Sequence, residues 1–123
     1  MDYAEVFRNL TYQTAIIIFI KKNGEIRVML GTRNLKTVEL EYGFKGMELG
    51  GHDKRCNINN GNVAVYDMIV GEARSFSINR LVSIQYVGEI TDTDTLNKVV
   101  EEYIKFKNDY EATKPKTLDI DTF

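Results

Sequence analysis

Two apolar, β-branched runs flank the tripeptide Lys22-Asn23-Gly24 in the stretch "TAIIIFIKKNGEIRVMLGTR", residues 14–33. Asn-Gly supplies the positive φ angles of a tight type I′ turn and is the strongest short-range signal for a β-hairpin. Alternation in the second run places one set of side chains on each face of its strand: Ile26, Val28 and Leu30 against Arg27 and Met29. The pattern therefore predicts a hairpin near the start of a β-sheet.

Further alternating segments follow the hairpin. Val38, Leu40 and Tyr42 alternate and suggest a third strand, and alternation resumes from Asn62 through two or three short strands up to about residue 90. Four residues in this second region share one strand parity: Arg74, Phe76, Ile78 and Arg80. We expect Phe76 and Ile78 to enter the core, with the two arginines at opposite ends of the same face.

A helix is predicted at each end of the chain. Tyr3, Val6, Phe7 and Leu10 form one apolar helical face behind Asp2, and an apolar stripe follows the capping cluster "TDTDT": Leu96, Val99, Val100, Tyr103, Phe106 and Tyr110. The chain is therefore expected to be mainly β: a small barrel of about five strands with a short N-terminal helix and a C-terminal amphipathic helix. We expect one domain over residues 1–111, with the barrel at about 12–90 and the helix at about 94–111, and an acidic tail over 112–123.

Charge and composition narrow the function classes. The 123 residues carry a net charge of −2, with one cysteine and one histidine. This is not the strongly basic composition of a duplex-DNA binder, so an anionic ligand would have to be held by a local cluster of cations. The lone thiol and the short apolar runs predict a cytoplasmic protein with no membrane contact.

The only histidine and the only cysteine lie in the loop "GGHDKRCNINNGN", residues 50–62. His52 and Cys56 are too few ligands for zinc, and a nucleophile pair would need further groups, so we expect no metal, no cofactor and no catalysis. Two interpretations of this loop stay open. It either cradles a phosphate with backbone amides, Lys54, Arg55 and Asn57, or it simply connects two strands.

Two stretches together carry a family resemblance: "NGEIRVMLGTRNL", residues 23–35, and "VAVYDMIVGEARSFSINRLVSI", residues 63–84. They resemble small bacteriophage proteins described as WYL-like, with an Sm-like SH3 β-barrel fold. The resemblance implies an SH3-like barrel over roughly residues 12–90. It also implies that Arg74 and Arg80 contribute to a ligand-binding surface, although the Trp-Tyr-Leu tripeptide that names the wider family is absent here.

The function expected from these observations is non-enzymatic binding of an anionic nucleotide-type ligand. That ligand is a short single-stranded nucleic acid or a nucleotide signalling molecule, and a role in counter-defence follows from the resemblance to bacteriophage proteins. The alternative is a protein–protein module that binds and inhibits a host protein, and a homo-oligomer stays open. The candidate ligand-binding residues are Arg74, Arg80, Arg27, Arg33, His52, Lys54, Arg55, Asn57 and Tyr66.

Overall fold

The computed structural model describes residues 2–43 and 56–113. Three α-helices and five strands follow one another in these ranges, and a 3-10 turn at Ile78–Arg80 separates the last two strands. The elements are α1 (Tyr3–Tyr12), β1 (Thr14–Ile20), β2 (Ile26–Thr32), α2 (Leu35–Tyr42), β3 (Asn62–Asp67), β4 (Glu72–Ser77), β5 (Leu81–Gly88) and α3 (Thr93–Thr113). No helix within these ranges has the length and apolar character needed to cross a membrane.

The five strands form one antiparallel sheet in the order β4-β3-β2-β1-β5. β1 and β2 pair along their whole length, from Thr14 opposite Thr32 to Ile20 opposite Ile26, which confirms the predicted hairpin. The prediction of a type I′ turn is wrong, because the Gly24 N–H donates to the Lys21 carbonyl at 2.9 Å, so Gly24 follows the turn instead of forming its centre. This bond makes the connection a three-residue loop that ends on Gly24 with φ 90°, the usual alternative to a two-residue turn.

Both faces of β1 are buried, which explains its uninterrupted run of apolar residues. On one face, side chains from all five strands and from α1 meet in an inner core. Its fully buried members are Val6, Leu10, Ala15, Ile17, Phe19, Met29, Val63, Val65 and Phe76. On the other face, α2 and α3 cover β1 and β2 through an outer core: Ile16, Ile18, Val28, Leu30, Val38, Met68, Ile90, Leu96, Val99 and Tyr103.

The sheet curls around the inner core without closing. β5 carries an extra residue opposite β1 at two places, between the partners of Thr14 and Ala15 and between those of Ile18 and Phe19, and such bulges bend a strand and increase its twist. β2 pairs with β3 only at Gly31–Asp67 and Thr32–Tyr66, and no pairing joins β4 to β5 within the described residues. The predicted barrel of about five strands with two flanking helices is confirmed as an open, strongly curved version of that architecture.

Two local predictions are wrong. The predicted third strand through Val38, Leu40 and Tyr42 is helix α2, because Asn34 caps its first turn by accepting the Lys36 N–H, and Val38 is buried in the outer core. The prediction that Arg74 and Arg80 lie on the same face of one strand is also wrong. β4 ends at Ser77, whose hydroxyl caps the 3-10 turn, so the two arginines do not share a strand face.

The segment Gly31–Asn34 fastens α1 to the sheet. The Arg33 N–H donates to the Leu10 carbonyl at 2.8 Å, and the Thr32 hydroxyl donates to the Gln13 carbonyl at 3.0 Å. The Asn34 side chain donates to the Tyr12 carbonyl at 3.1 Å. These bonds satisfy backbone carbonyl groups at the C-terminal end of α1. In the structure, residues 32–34 of the first resembling stretch therefore hold α1 against the sheet.

The C-terminal helix behaves as its apolar stripe predicts. Asp92 accepts hydrogen bonds from the Thr95 N–H and hydroxyl, and these bonds lower the pKa of its carboxyl. Leu96, Val99 and Tyr103 are buried against the sheet. α3 therefore covers the outer core, while the predicted acidic tail beyond Thr113 lies outside the described residues.

Candidate functional site

A cleft of about 880 Å³ lies between the β1–β2 connection on one side and β4 with the 3-10 turn on the other. Its lining residues come from three separate parts of the sequence. They are Phe19, Ile20, Lys21, Lys22, Asn23 and Arg27, then Asn60 and Asn62, then Ser75, Phe76, Ser77, Asn79 and Arg80. We call this the cationic cleft, because four of these side chains are basic and none is acidic.

The basic groups of the cationic cleft differ in how far they are neutralised. Lys21 Nζ lies 3.3 Å from Glu25 Oε1 in an exposed ion pair at the mouth. A hydrogen bond from Asn23, followed by the Lys21 ammonium, lowers the pKa of the Glu25 carboxyl. Among the described residues, Lys22 and Arg27 form no ion pair with a carboxylate, although the Arg27 guanidinium is a smaller cause of the lowered pKa of the Glu25 carboxyl.

Arg80 is held in place across the strands. Its Nη1 donates to the Lys21 carbonyl at 3.1 Å, which joins the 3-10 turn to the end of β1. A guanidinium has five N–H donors, so one backbone bond leaves most of them for a ligand. The bond restrains the Arg80 side chain before a ligand arrives, which lowers the entropic cost of binding.

The opposite wall is built from short polar side chains. The turn at residues 58–61 rests on β4 because the Ser77 hydroxyl donates to the Asn60 carbonyl at 3.3 Å and caps Asn79 N–H at 3.2 Å. Gly61 allows this approach with a φ of 74°, and a Cβ there would come within 3.1 Å of Ile78. The side-chain amides of Asn62 and Asn79 make no hydrogen bond within the described residues, so their N–H groups can serve as donors to a bound anion.

Arg74 lies on β4 and does not line the cationic cleft, although it lines a neighbouring cleft of about 330 Å³ that shares Lys21 and Arg27 with it. Its Nε is 3.1 Å from Asp67 Oδ2, although the N–H does not point at that oxygen, and its Nη2 is 3.2 Å from Glu72 Oε1. The other oxygen of Asp67 accepts the N–H groups of residues 69 and 70 at 2.9 and 3.1 Å. Arg74 therefore stabilises the turn, and its guanidinium is occupied by two carboxylates.

Arg33 and Tyr66 also make intramolecular contacts in other places. The Arg33 guanidinium lies 4.3 Å from the ring centre of Phe7 and donates to the Cys56 sulfur at 3.3 Å, on the α1 side of the molecule. The Tyr66 hydroxyl donates to the Gly71 carbonyl at 2.8 Å, and its ring packs against Tyr42. Neither residue lines the cationic cleft.

The loop predicted to touch a ligand is described only in part. Asn57 bridges to Asn62, the first residue of β3, and its side chain accepts the Asn59 N–H at 2.9 Å, so it shapes the turn beside the cleft. His52, Lys54 and Arg55 lie outside the described residues. Within the residues that are described, no group of three or more His, Cys, Asp or Glu is placed to hold a metal ion.

Of the candidate residues named from the sequence, the structure brings Arg27 and Arg80 together in the cationic cleft. Sequence reasoning missed the pair Lys21-Lys22 and the donors Asn62 and Asn79. The adjacent lysines beside a hairpin turn were a usable signal. Asn62 and Asn79 gave no such signal, because asparagines in such segments are ordinarily there for turn geometry.

A family model described as WYL_2, Sm-like SH3 beta-barrel fold, matches residues 4–82, which is well over half of the chain. The chain therefore belongs to this family, whose Sm-like SH3 fold agrees with the five curved strands behind an N-terminal helix. No curated protein and no solved structure matches the chain.

Proposed function

We propose that this protein is a non-enzymatic binding protein that holds an anionic, nucleotide-type ligand in the cationic cleft. The observation that carries the proposal is the composition of the cleft wall: four basic side chains, several amide and hydroxyl donors, and no carboxylate. The chain as a whole has a net charge of −2, so this concentration of positive charge is local. Local cations of this kind attract and orient an anion without making the whole surface basic.

The size and the chemistry of the cleft both support this ligand class. A volume of about 880 Å³ lies within the range of about 300–1,000 Å³ typical of small-molecule sites. Arginine guanidinium groups bind phosphate through paired, charge-assisted hydrogen bonds, and Arg27 and Arg80 line the same cleft. Sequestering a nucleotide signal during host defence is the use we propose if the chain is of bacteriophage origin, as its resemblance implies.

The proposal is tested by thermal shift and by fluorescence polarisation with short single-stranded RNA and DNA, mono- and dinucleotides, and cyclic oligonucleotides. We expect a Kd of about 1 μM or tighter for at least one member, weakened roughly tenfold or more by Arg80→Gln or Arg27→Gln. Arg8→Gln is the matched control, because Arg8 is an exposed residue of α1 outside the cleft and loses the same charge. Equal losses in all three variants, or no binding by the parent, would refute the proposal.

A second candidate, a protein-binding module, is favoured by a separate apolar surface. Ile69 and Ile104 are exposed and line a cleft of about 260 Å³ together with Met68 and Val100. The partner would be a host protein or a second copy of the chain. Sedimentation velocity of the parent and of Ile104→Ser distinguishes the second copy: a dimer lost in the variant supports it, and a monomer in both excludes it.

A further inference from the structure

The aromatic residues of the cationic cleft decide how a ligand can be recognised there. The only rings among the lining residues belong to Phe19 and Phe76, which are 4% and 3% exposed. Their ring centres lie 5.6 Å apart inside the inner core, where they pack against each other. A nucleobase therefore finds no open ring face on the described wall of this cleft.

This arrangement differs from that of proteins which hold single strands by their bases. Stacking on an exposed aromatic ring adds to the affinity for each base in such proteins. The described residues of the cationic cleft offer no such ring. What the cleft does offer is charge and N–H donors: Lys22, Arg27 and Arg80 with the amides of Asn62 and Asn79. These groups match phosphate oxygens, which accept several hydrogen bonds and carry negative charge.

The number of cations favours a short ligand over a long one. Each contact between a cation and a phosphate releases counterions, so binding of a long strand through its backbone gains with every added contact. The described wall of this cleft has four cations, one of which is paired with Glu25. Four cations around one cavity of about 880 Å³ suit several phosphates that lie close together.

We propose that the cationic cleft recognises a phosphate-dense small anion, the polyphosphate chain itself, and that the base of a nucleotide ligand contributes little to affinity. This inference rests on the proposed function and specifies its ligand. The same chemistry occurs in nucleoside di- and triphosphates and in inorganic polyphosphate, so the test must separate these sources.

The experiment is isothermal titration of the full chain with four probes: inorganic tripolyphosphate, ATP, AMP and adenosine. A single-stranded hexathymidylate is the fifth probe, and all titrations are done without divalent cations at 50 and 200 mM NaCl. We expect tripolyphosphate and ATP to bind within about threefold of each other, AMP to bind at least about 30-fold more weakly, and adenosine to give no heat of binding. A much tighter Kd for ATP than for tripolyphosphate would assign the site to nucleotides and overturn the minor role of the base.

Variants link the result to the cleft. Lys22→Gln and Arg80→Gln should each weaken tripolyphosphate roughly tenfold, whereas Lys98→Gln, an exposed charge on α3, should leave the Kd unchanged within about twofold. Tighter binding of hexathymidylate than of tripolyphosphate at 200 mM NaCl would overturn this inference and leave the proposed function intact. No binding of any of the five probes would overturn this inference, and no binding of the wider panel of nucleotides and oligonucleotides would overturn the proposed function as well.

Discussion

The ion pair between Asp67 and Arg74 can be tested by a single isosteric change. Asp67→Asn keeps an oxygen that can accept the N–H groups of the β3–β4 turn but removes the charge that faces the arginine. The side chain of Asp67 is 6% exposed and that of Arg74 is 22% exposed. Exposed ion pairs contribute about 0–1 kcal/mol to stability, whereas breaking a buried ion pair costs about 3–5 kcal/mol, and this pair lies between the two. We expect the free energy of unfolding to fall by about 2–3 kcal/mol.

For a domain of this length, 1 kcal/mol corresponds to about 4 °C in Tm, so the expected shift is about 8–12 °C downward. Urea unfolding followed by circular dichroism gives the free energy directly. Glu72→Gln is the matched control because Glu72 contacts the same arginine from a position that is 62% exposed, and it should cost no more than about 1 kcal/mol. Equal losses for Asp67→Asn and Glu72→Gln would contradict the reasoning from burial.

The remaining predictions concern a close contact and a titration. Gly71→Ala should lower the free energy of unfolding by about 2–4 kcal/mol, because residue 71 has a φ of 81° and a Cβ there would lie only 2.9 Å from the Tyr42 ring. Gly24→Ala is the control: residue 24 has a φ of 90° but nothing lies within 4 Å of its Cβ position, so the loss in the same urea assay should be only about 1–2 kcal/mol. Burial raises the pKa of Tyr103 to about 12, above its unfolded value of 10.0, and its hydroxyl donates to the Val28 carbonyl. The neutral Tyr103 hydroxyl therefore contributes its whole share to the free energy of unfolding below pH 10, and this share is lost as the pH rises from 10 towards 12. The stability advantage of the parent over Tyr103→Phe should shrink over that range, and an advantage that is constant with pH would contradict the assigned pKa.

The candidate site was predictable from the sequence only in part. Arg27 and Arg80 were named from their position in the resembling stretches, and both line the cationic cleft. Arg74 was named on the same grounds, yet it pairs with two carboxylates instead. An arginine in a strand pattern carries the same local signal in both cases, and only the burial of Asp67 beside it separates the two roles.

By itself, the sequence determined the features that depend on near neighbours. These are the hairpin around Gly24, the caps at Asp2 and Asp92, and the apolar stripe of α3. Each follows from backbone preference or from the spacing of apolar residues over a few positions.

Tertiary structure decided where distant segments meet. Alternating apolar residues made residues 38–42 read as a strand, but the cap at Asn34 and the outer core made them a helix. The cationic cleft lies where the 3-10 turn meets the end of β1 through the Arg80–Lys21 bond, with β4 beside it in the fold. Its walls are 33 to 61 positions apart in sequence, and no local pattern encodes such a contact, because it depends on how the whole sheet twists.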